Sequence, residues 1–316
     1  MTLTLGVDIG GTKIAAGVVD EHGTVLDRST IATPSLAPSA IDEAVAELYT
    51  KLAASSPIER VGIAAAGLVS SDRATVMFAP NIAWRSYPLA ARVSALIGDA
   101  VPVVVENDAN AAGWAEFRFG AGVRHDMVML TIGTGVGGAV ISGGRLQRGA
   151  SGAGAEVGHV QLVDGGHLCG CGQHGCFEAY GSGTALERLA REAAEADPQR
   201  GRRLIELAGR AQAVRGSHVA QAAEECDPLT LDLIGELGEW IGRGAASLAA
   251  VLDPSIVVLG GGVSDLGAPL VAAVRRGLDT HLTGQSNRPP ILVARARLGN
   301  DAGIVGSADL ARTATP

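Results

Sequence analysis

Short runs of alternating and clustered apolar residues open the chain, and the first, residues 3–9, reads as a strand. It turns at Gly10–Gly11 and returns as I-A-A-G-V-V-D, and an E-H-G turn at 21–23 leads to a third short strand. After a Pro/Ser stretch, apolar residues at 41, 44, 45, 48 and 52 have helical spacing. Residues 61–65 form a strand ending near Gly67, and a helix near 88–97 precedes a buried-type strand over 101–105. That strand ends at Glu106-Asn107-Asp108, and a helix of small residues follows over 109–119. A related pattern then appears: a strand over 127–133, a glycine turn over 134–138 and a strand over 139–142. Set beside residues 5–19, this is the same strand–glycine turn–strand unit, an internal repeat. Residues 184–250 read as helical, and 255–259 as a strand with a glycine turn at 260–262. A helix over 266–278, a strand over 291–296 and a closing helix over 301–311 complete the pattern. The expected architecture is a duplicated α/β fold of two domains with a cleft between them. Residues 1–108 plus 301–316 make the smaller domain, and 109–300 the larger.

Composition agrees with this reading. The 316 residues suffice for two domains, and 47% hydrophobic content with 3% aromatic residues gives an aliphatic core. The 44 glycines show no collagen-like period and cluster in turns where backbone must approach something closely. A net charge of −8 argues against a broad nucleic-acid or anionic-membrane surface. No apolar run reaches the roughly 18 residues of a membrane span. No basic leader precedes the first strand, so the expected location is cytoplasmic.

Three glycine turns carry candidate chemistry. V-D-I-G-G-T-K has the wrong order for a P-loop, and a strand follows where that motif needs a helix. A phosphate-binding hairpin fits better, with the N–H groups of Gly10, Gly11 and Thr12 forming a concave donor surface. Asp8 would then face the metal that accompanies a nucleotide, and Lys13 would add positive charge. G-T-G-V-G-G at 133–138 matches the dinucleotide fingerprint literally, but no helix follows to receive a pyrophosphate. Thr134 and Gly135 are instead read as a second phosphate grip, and Gly261–Gly262 as a surface for the nucleoside.

The segment from His159 to Glu178 holds three of the four cysteines, Cys169, Cys171 and Cys176, in a C-x-C-x4-C cluster. With three histidines nearby, it reads as a tetrahedral zinc site. His159, His167 and His174 each qualify as the fourth ligand. Glu156, His159 and Glu178 are polar groups suited to gripping a small polyol. Asp108 and Asn107 have the form of a helix N-cap, and the same carboxylate at a strand end is placed as a general base. Glu106 reads as structural and Cys226 as a core residue.

These motifs resemble, in family order, those of the ROK sugar kinases within the actin/hexokinase superfamily. The matching stretches are V-D-I-G-G-T-K, A-A-G, A-P-N-I, V-E-N-D-A-N-A-A, L-T-I-G-T-G-V-G-G, A-E-V-G-H, C-G-C-G-Q-H-G-C-F-E, L-G-G-G and L-G-N-D-A-G-I-V-G-S. The chain is most similar to the actinobacterial type of ATP-dependent glucokinase. Gly154–Ala155 reverses the commoner order and Ala139 stands where glycine is frequent, both small-for-small exchanges. The resemblance implies an actin/hexokinase-like (ribonuclease H-like) fold and ATP-dependent phosphorylation of glucose at its 6-hydroxyl. Asp108 is the implied base and Asn107 a hydroxyl-binding amide. Glu156, His159, Glu178, Asn81 and the backbone at Gly67 are further implied sugar contacts. His159 takes a double part, one ring nitrogen to structural Zn2+ with the three cysteines and the other to the sugar. ATP, Mg2+ and Zn2+ are the implied cofactors, and a dimer or tetramer the implied assembly. A kinase for mannose, N-acetylmannosamine, N-acetylglucosamine or fructose would use the same residues. A non-catalytic sugar sensor would keep only the sugar site.

Overall fold

The N-terminal apolar run forms an antiparallel meander of β1 (Leu3–Ile9), β2 (Lys13–Val19) and β3 (Val25–Ala32). The computed structural model describes residues 2–34, 37–80 and 82–314, and Asn81 lies outside the described residues. Helix α1 (Pro38–Ala53) leads to β4 (Ile58–Ala65), which pairs parallel with β1. Three short strands, β5 (Leu68–Val69), β6 (Val76–Phe78) and β7 (Arg85–Tyr87), make a small antiparallel sheet. Periodicity predicts no element there, since such strands are too short to alternate. Helix α2 (Leu89–Ile97) precedes β8 (Val103–Asn107), which pairs parallel with β4 and runs directly into α3 (Asp108–Phe119). Strand β8 begins two residues later than expected: Val101 closes a turn onto Gly98, and Pro102 has no N–H for the ladder.

The second half repeats the plan with β9 (Met127–Ile132), β10 (Val136–Ser142) and β11 (Arg145–Leu146). Five helices follow: α4 (Glu178–Gly181), α5 (Gly183–Ala196), α6 (Arg202–Ala208), α7 (Gly216–Glu224) and α8 (Pro228–Leu252). Strand β12 (Ile256–Gly260), α9 (Ala268–His281), β13 (Leu292–Arg295) and α10 (Ala302–Arg312) end the chain. The sheets have the orders β3-β2-β1-β4-β8 and β11-β10-β9-β12-β13, each a meander extended by two parallel strands. Duplication is thus visible in topology as well as in sequence. Strand β10 starts three residues before its expected position and takes in Gly137 and Gly138. A Cβ on Gly138 would lie 2.3 Å from Val157 Cγ2, so this glycine serves close packing within a strand rather than a turn. Cys226, expected in the core, is exposed with φ 59° between α7 and α8. The helix breaks there, so the spacing of its neighbours says nothing about its burial. No helix among the described residues is long and apolar enough to cross a membrane.

Two compact units result: Met1–Asp126, Ala139–Ala155 and Arg297–Pro316 form one, and Met127–Gly138 with Glu156–Ala296 the other. In the first, Leu5, Val7 and Ile9 of β1 join Ile14, Ile63, Val105 and the apolar faces of α1 and α2 in one buried cluster. Period-two alternation sends Gly6 and Asp8 to the opposite face, where α10 lies. A Cβ on Gly6 would stand 1.9 Å from Ile304 O, and one on Gly62 of β4 1.9 Å from Ser307 O. Backbone therefore rests on backbone. Helix α3 packs on α10 through Trp114, whose indole N–H donates to Asp309 Oδ2 at 2.8 Å. The chain leaves this unit after Asp126 and again after Ala155, and returns at Ala139 and at Arg297. Buried Glu116 of α3 accepts the N–H groups of Ala121 (2.7 Å), Arg297 (2.8 Å) and Leu298 (2.7 Å), tying the segment after α3 to the chain's last return.

In the second unit α8 starts at Asp227, which accepts Thr230 N–H at 2.9 Å, with Pro228 in the first turn where a missing N–H costs nothing. Phe177 is buried against Gly244 of this helix, anchoring the loop that precedes α4.

Opposite outcomes are expected from two glycine-to-alanine changes, read as midpoints of urea unfolding. Gly62→Ala forces β4 off α10 and should cost about 3 kcal/mol or more. Gly235→Ala in α8 points into open space and should stabilise by roughly 0.5–1 kcal/mol.

Candidate active site

In-register parallel pairing aligns Asp8 of β1 with Ala64 of β4, and Ala64 with Glu106 of β8. Asn107 and Asp108 continue from the same strand end. Asn107 caps α3, its Oδ1 accepting Asn110 N–H at 2.9 Å. Its amide nitrogen donates to Gly67 O and to Asp108 Oδ1, both at 3.1 Å. Asp108 Oδ1 also accepts Ala109 N–H at 2.9 Å. Gly67, Asn107 and Asp108 are thus brought together, and the cap and the candidate base are one arrangement.

Burial pushes the Asp108 carboxyl above the ordinary carboxylate range, against the pull of its hydrogen bonds from Ala109 and Asn107. Burial, then the Asp108 charge, raises Asp8 to about 6, with Lys13 opposing. Gly303 makes room for Asp8, since a Cβ there would stand 2.7 Å from its Cγ. At the turn beyond Asp8, Gly10 N–H donates to Lys13 O at 3.0 Å, and Gly11 and Thr12 are exposed.

The corresponding turn of the second unit is tighter. Gly133 N–H donates to Gly135 O at 2.9 Å, and Thr134 is exposed. Helix α5 begins against it: Gly183 N–H donates to Gly133 O (2.8 Å) and Thr184 Oγ1 to Thr134 O (2.7 Å). Gly261 (φ 78°) and Gly262 are exposed, and a Cβ on Gly261 would lie 2.4 Å from Ile132 O. Sequence reading missed Thr184. The signal was S-G-T before a helical run, which marks a helix start but not the turn it abuts.

Ligand atoms of His159, Cys169, Cys171 and Cys176 all lie within 4.8 Å of one another. Cys171 Sγ to Cys176 Sγ and Cys169 Sγ to His159 Nδ1 are each 3.7 Å. Zn–S bonds of about 2.3 Å at tetrahedral angles place neighbouring donors about 3.7 Å apart, so the four fit a tetrahedral metal. His167 and His174 take other work. The His174 ring meets Gly166 O at 2.9 Å, and His167 N–H donates to Tyr180 Oη at 2.9 Å beside a tilted ring contact.

The other ring nitrogen of His159, Nε2, is 3.9 Å from Glu156 Oε2. Glu178 Oε2 accepts Val136 N–H at 3.0 Å, and a Cβ on Gly135 would stand 2.1 Å from that oxygen. Its Oε1 lies 3.4 Å from Cys169 Sγ. Glu178 therefore touches both the cysteine cluster and the second glycine turn.

Carboxylates at a strand end and glycine turns on a duplicated α/β, hexokinase-like actin-type fold, with a Cys3His cluster beside Glu178, are parts a phosphotransferase acting on a polyol can use. The ROK family model matches residues 4–314, and the chain belongs to the ROK family. It is 48% identical to a glucokinase of Streptomyces coelicolor, over 100% of this chain and 99% of that one. It is 32% identical to an N-acetylmannosamine kinase of Escherichia coli over 98% of each. Among solved structures, a ROK family glucokinase from Streptomyces griseus in complex with glucose and AMPPNP superposes with a TM-score of 0.88. That match has 48% identity and covers 99% of this chain and 100% of the other.

Burial pushes the Cys169 thiol up to about 12 and raises Cys176, while the Gln173 backbone N–H lowers Cys171. Metal binding must displace these protons, so affinity should rise with pH. Cys171→Ser should abolish bound zinc and lower the melting temperature, whereas Cys226→Ser should retain it, measured by elemental analysis and calorimetry. For Asp8 the native carboxyl binds its proton more tightly than the unfolded one between 3.8 and about 6. Its contribution is full below that window and lost as pH rises through it. Asp8→Asn should therefore raise the melting temperature of the ligand-free protein at pH 7.5 and lose that advantage at pH 4.

Proposed function

We propose that this protein transfers the γ-phosphoryl group of ATP to the 6-hydroxyl of glucose, giving glucose 6-phosphate and ADP. The observation that carries the reading is Asp108: a half-buried carboxylate at a strand end, one oxygen fixed by Asn107 and Ala109. The 48% identity to a relative named glucokinase, over the full length of both chains, supports glucose as the sugar. The AMPPNP in a relative's structure supports ATP as donor.

Asp108 offers its second oxygen to the 6-hydroxyl. As the hydroxyl oxygen attacks phosphorus, the bond to the β–γ bridging oxygen breaks, ADP departs, and the proton passes to Asp108. Such a base contributes about 10²–10⁴-fold. Asn107, Asn81 and the Gly67 backbone hold sugar hydroxyls, as do Glu156, His159 and Glu178, whose carboxylates suit a donor-rich substrate. Backbone N–H groups of Gly11 and Thr12, with Lys13, cradle phosphate oxygens, while Gly10, its own N–H closing the hairpin onto Lys13 O, lets the phosphate approach the backbone. Thr134 and Gly135 cradle phosphate oxygens from the second turn. Gly261 and Gly262, lacking side chains, let the nucleoside lie against backbone.

Asp8 is the group to hold Mg2+, which suits a carboxylate shared with substrate phosphates and neutralises their charge. The Cys3His set suits structural Zn2+, orienting His159 through Nδ1 and leaving Nε2 for the sugar. With zinc bound, the Cys169 thiolate would have no proton to give Glu178, leaving Oε1 for a hydroxyl. A homodimer or homotetramer is the assembly proposed with this reading.

A second reading, phosphorylation of N-acetylmannosamine, draws on the 32% identical relative and uses the same residues. A panel of hexoses with ATP, assayed by ADP release, separates the two: glucose should show the highest kcat/KM, and preference for an N-acetylated sugar overturns that choice. Asp108→Asn should bind glucose near-normally by calorimetry while kcat drops at least about 10²-fold. Near-normal turnover would remove Asp108 as base. Because burial raises its carboxyl, the acid limb of kcat/KM should lie above the ordinary carboxylate range.

A further inference from the structure

Glu106 sits one residue before Asn107 and is 3% exposed. Its Oε1 accepts Asn107 N–H and Asn110 Nδ2, each at 3.2 Å. Its Oε2 accepts Arg148 Nε at 2.6 Å and pairs with Arg73 Nε at 3.4 Å. One oxygen thus addresses the segment bearing Asp108, and the other is hydrogen-bonded by Arg148 and ion-paired with Arg73, whose Nε makes no hydrogen bond.

As a purely stabilising device this is a poor choice. A buried carboxylate between two arginines leaves one surplus positive charge, and a well-packed apolar residue often does as well or better. Arg73 also holds φ 60°, a left-handed conformation that costs a side-chain-bearing residue energy. Costs of this kind gather where geometry must be held closely.

The bonds lead in two directions. From Oε1, the Asn107 backbone is fixed, and the Asn107 side chain in turn donates to Asp108 Oδ1 and Gly67 O. From Oε2, Arg148 is fixed, and its carbonyl accepts Gly154 N–H at 2.8 Å, closing a turn two residues before Glu156. Arg73 adds a third tie, its carbonyl accepting Val105 N–H at 2.8 Å.

We infer that Glu106, clamped by Arg148 and Arg73, is a positioning residue for phosphoryl transfer: it orients Asn107, and through it the carboxylate of Asp108, toward the sugar hydroxyl. This rests on the assignment of Asp108 as base. Glu106 acts only through its neighbours, so its effect vanishes when the base is gone. A side chain that merely stabilises the fold would weaken the enzyme equally with or without Asp108.

The test is a double-mutant cycle on kcat with glucose and ATP saturating, using Glu106→Gln, Asp108→Asn and the pair. Glu106→Gln should lower kcat by roughly tenfold to a hundredfold, the scale of a small misplacement at a reacting centre. The KM for ATP should stay near the parent value. In the Asp108→Asn background the same change should have no further effect on kcat. Unchanged kcat in Glu106→Gln, or losses that multiply in the pair, overturn the inference while leaving Asp108 as base. Wild-type turnover in Asp108→Asn alone sinks the base assignment itself, and the inference with it. Should Glu106→Gln fail to fold, Arg148→Gln replaces it in the cycle: that side chain is 25% exposed, and Arg73 still pairs with Glu106 when it is lost.

Discussion

Parallel pairing of β1, β4 and β8 in one register is the constraint on which the strand end bearing Asp8, Asn107 and Asp108 depends. The ladder sets Asp8, Ala64 and Glu106 in one row and Ile9, Ala65 and Asn107 in the next. Residues a hundred positions apart are thereby presented at one edge of the sheet, where parallel strands in open α/β folds offer groups to ligands. A slip of one residue would turn each of these side chains to the opposite face. The pairing is held from behind by α10, whose backbone lies on Gly6 and Gly62 without intervening side chains. That closeness makes the register rigid and explains why no larger residue fits there.

Buried and half-buried carboxylates do much of the remaining organisation, and each is satisfied differently. Glu116 takes three backbone N–H groups and ties the segment after α3 to the chain's last return to the first unit. Glu106 divides its oxygens between arginines and the segment bearing Asp108. Glu178 holds Val136 N–H with one oxygen and faces Cys169 with the other. Asp108 is the contrasting case. Its neighbours fix one oxygen, and burial keeps its proton affinity high, as suits the part of base proposed for it.

The cysteine loop follows a different logic. Between His159 and Glu178 regular structure is limited to isolated bridges such as Gln161 with Cys176 and Leu168 with His174. A segment with so few backbone ladders cannot hold side chains to a fraction of an ångström by itself. Four soft and nitrogen donors converging on one point can, and Phe177 beneath α8 supplies the apolar anchor.

Alternation and glycine placement already determined much of this protein: two strand–turn–strand units, an aliphatic α/β core, a thiol cluster and an Asn–Asp pair at a strand end. Those features are local, set by backbone sterics and side-chain periodicity, so they can be read along the chain. Other features had to wait for the fold. Spacing left His159, His167 and His174 equal as ligands; the fold chose by bringing the His159 ring to the three sulfurs, while the His167 ring lies against Tyr180 and the His174 ring meets Gly166 O. Glu106 read as structural, Thr184 as a helix start and Cys226 as core. Their surroundings come from residues far away in sequence: Arg148, the Thr134 turn, and the break between two helices. Long-range packing decides which polar groups meet, because a side chain's partners are set by where the backbone returns and not by what stands beside it in the sequence.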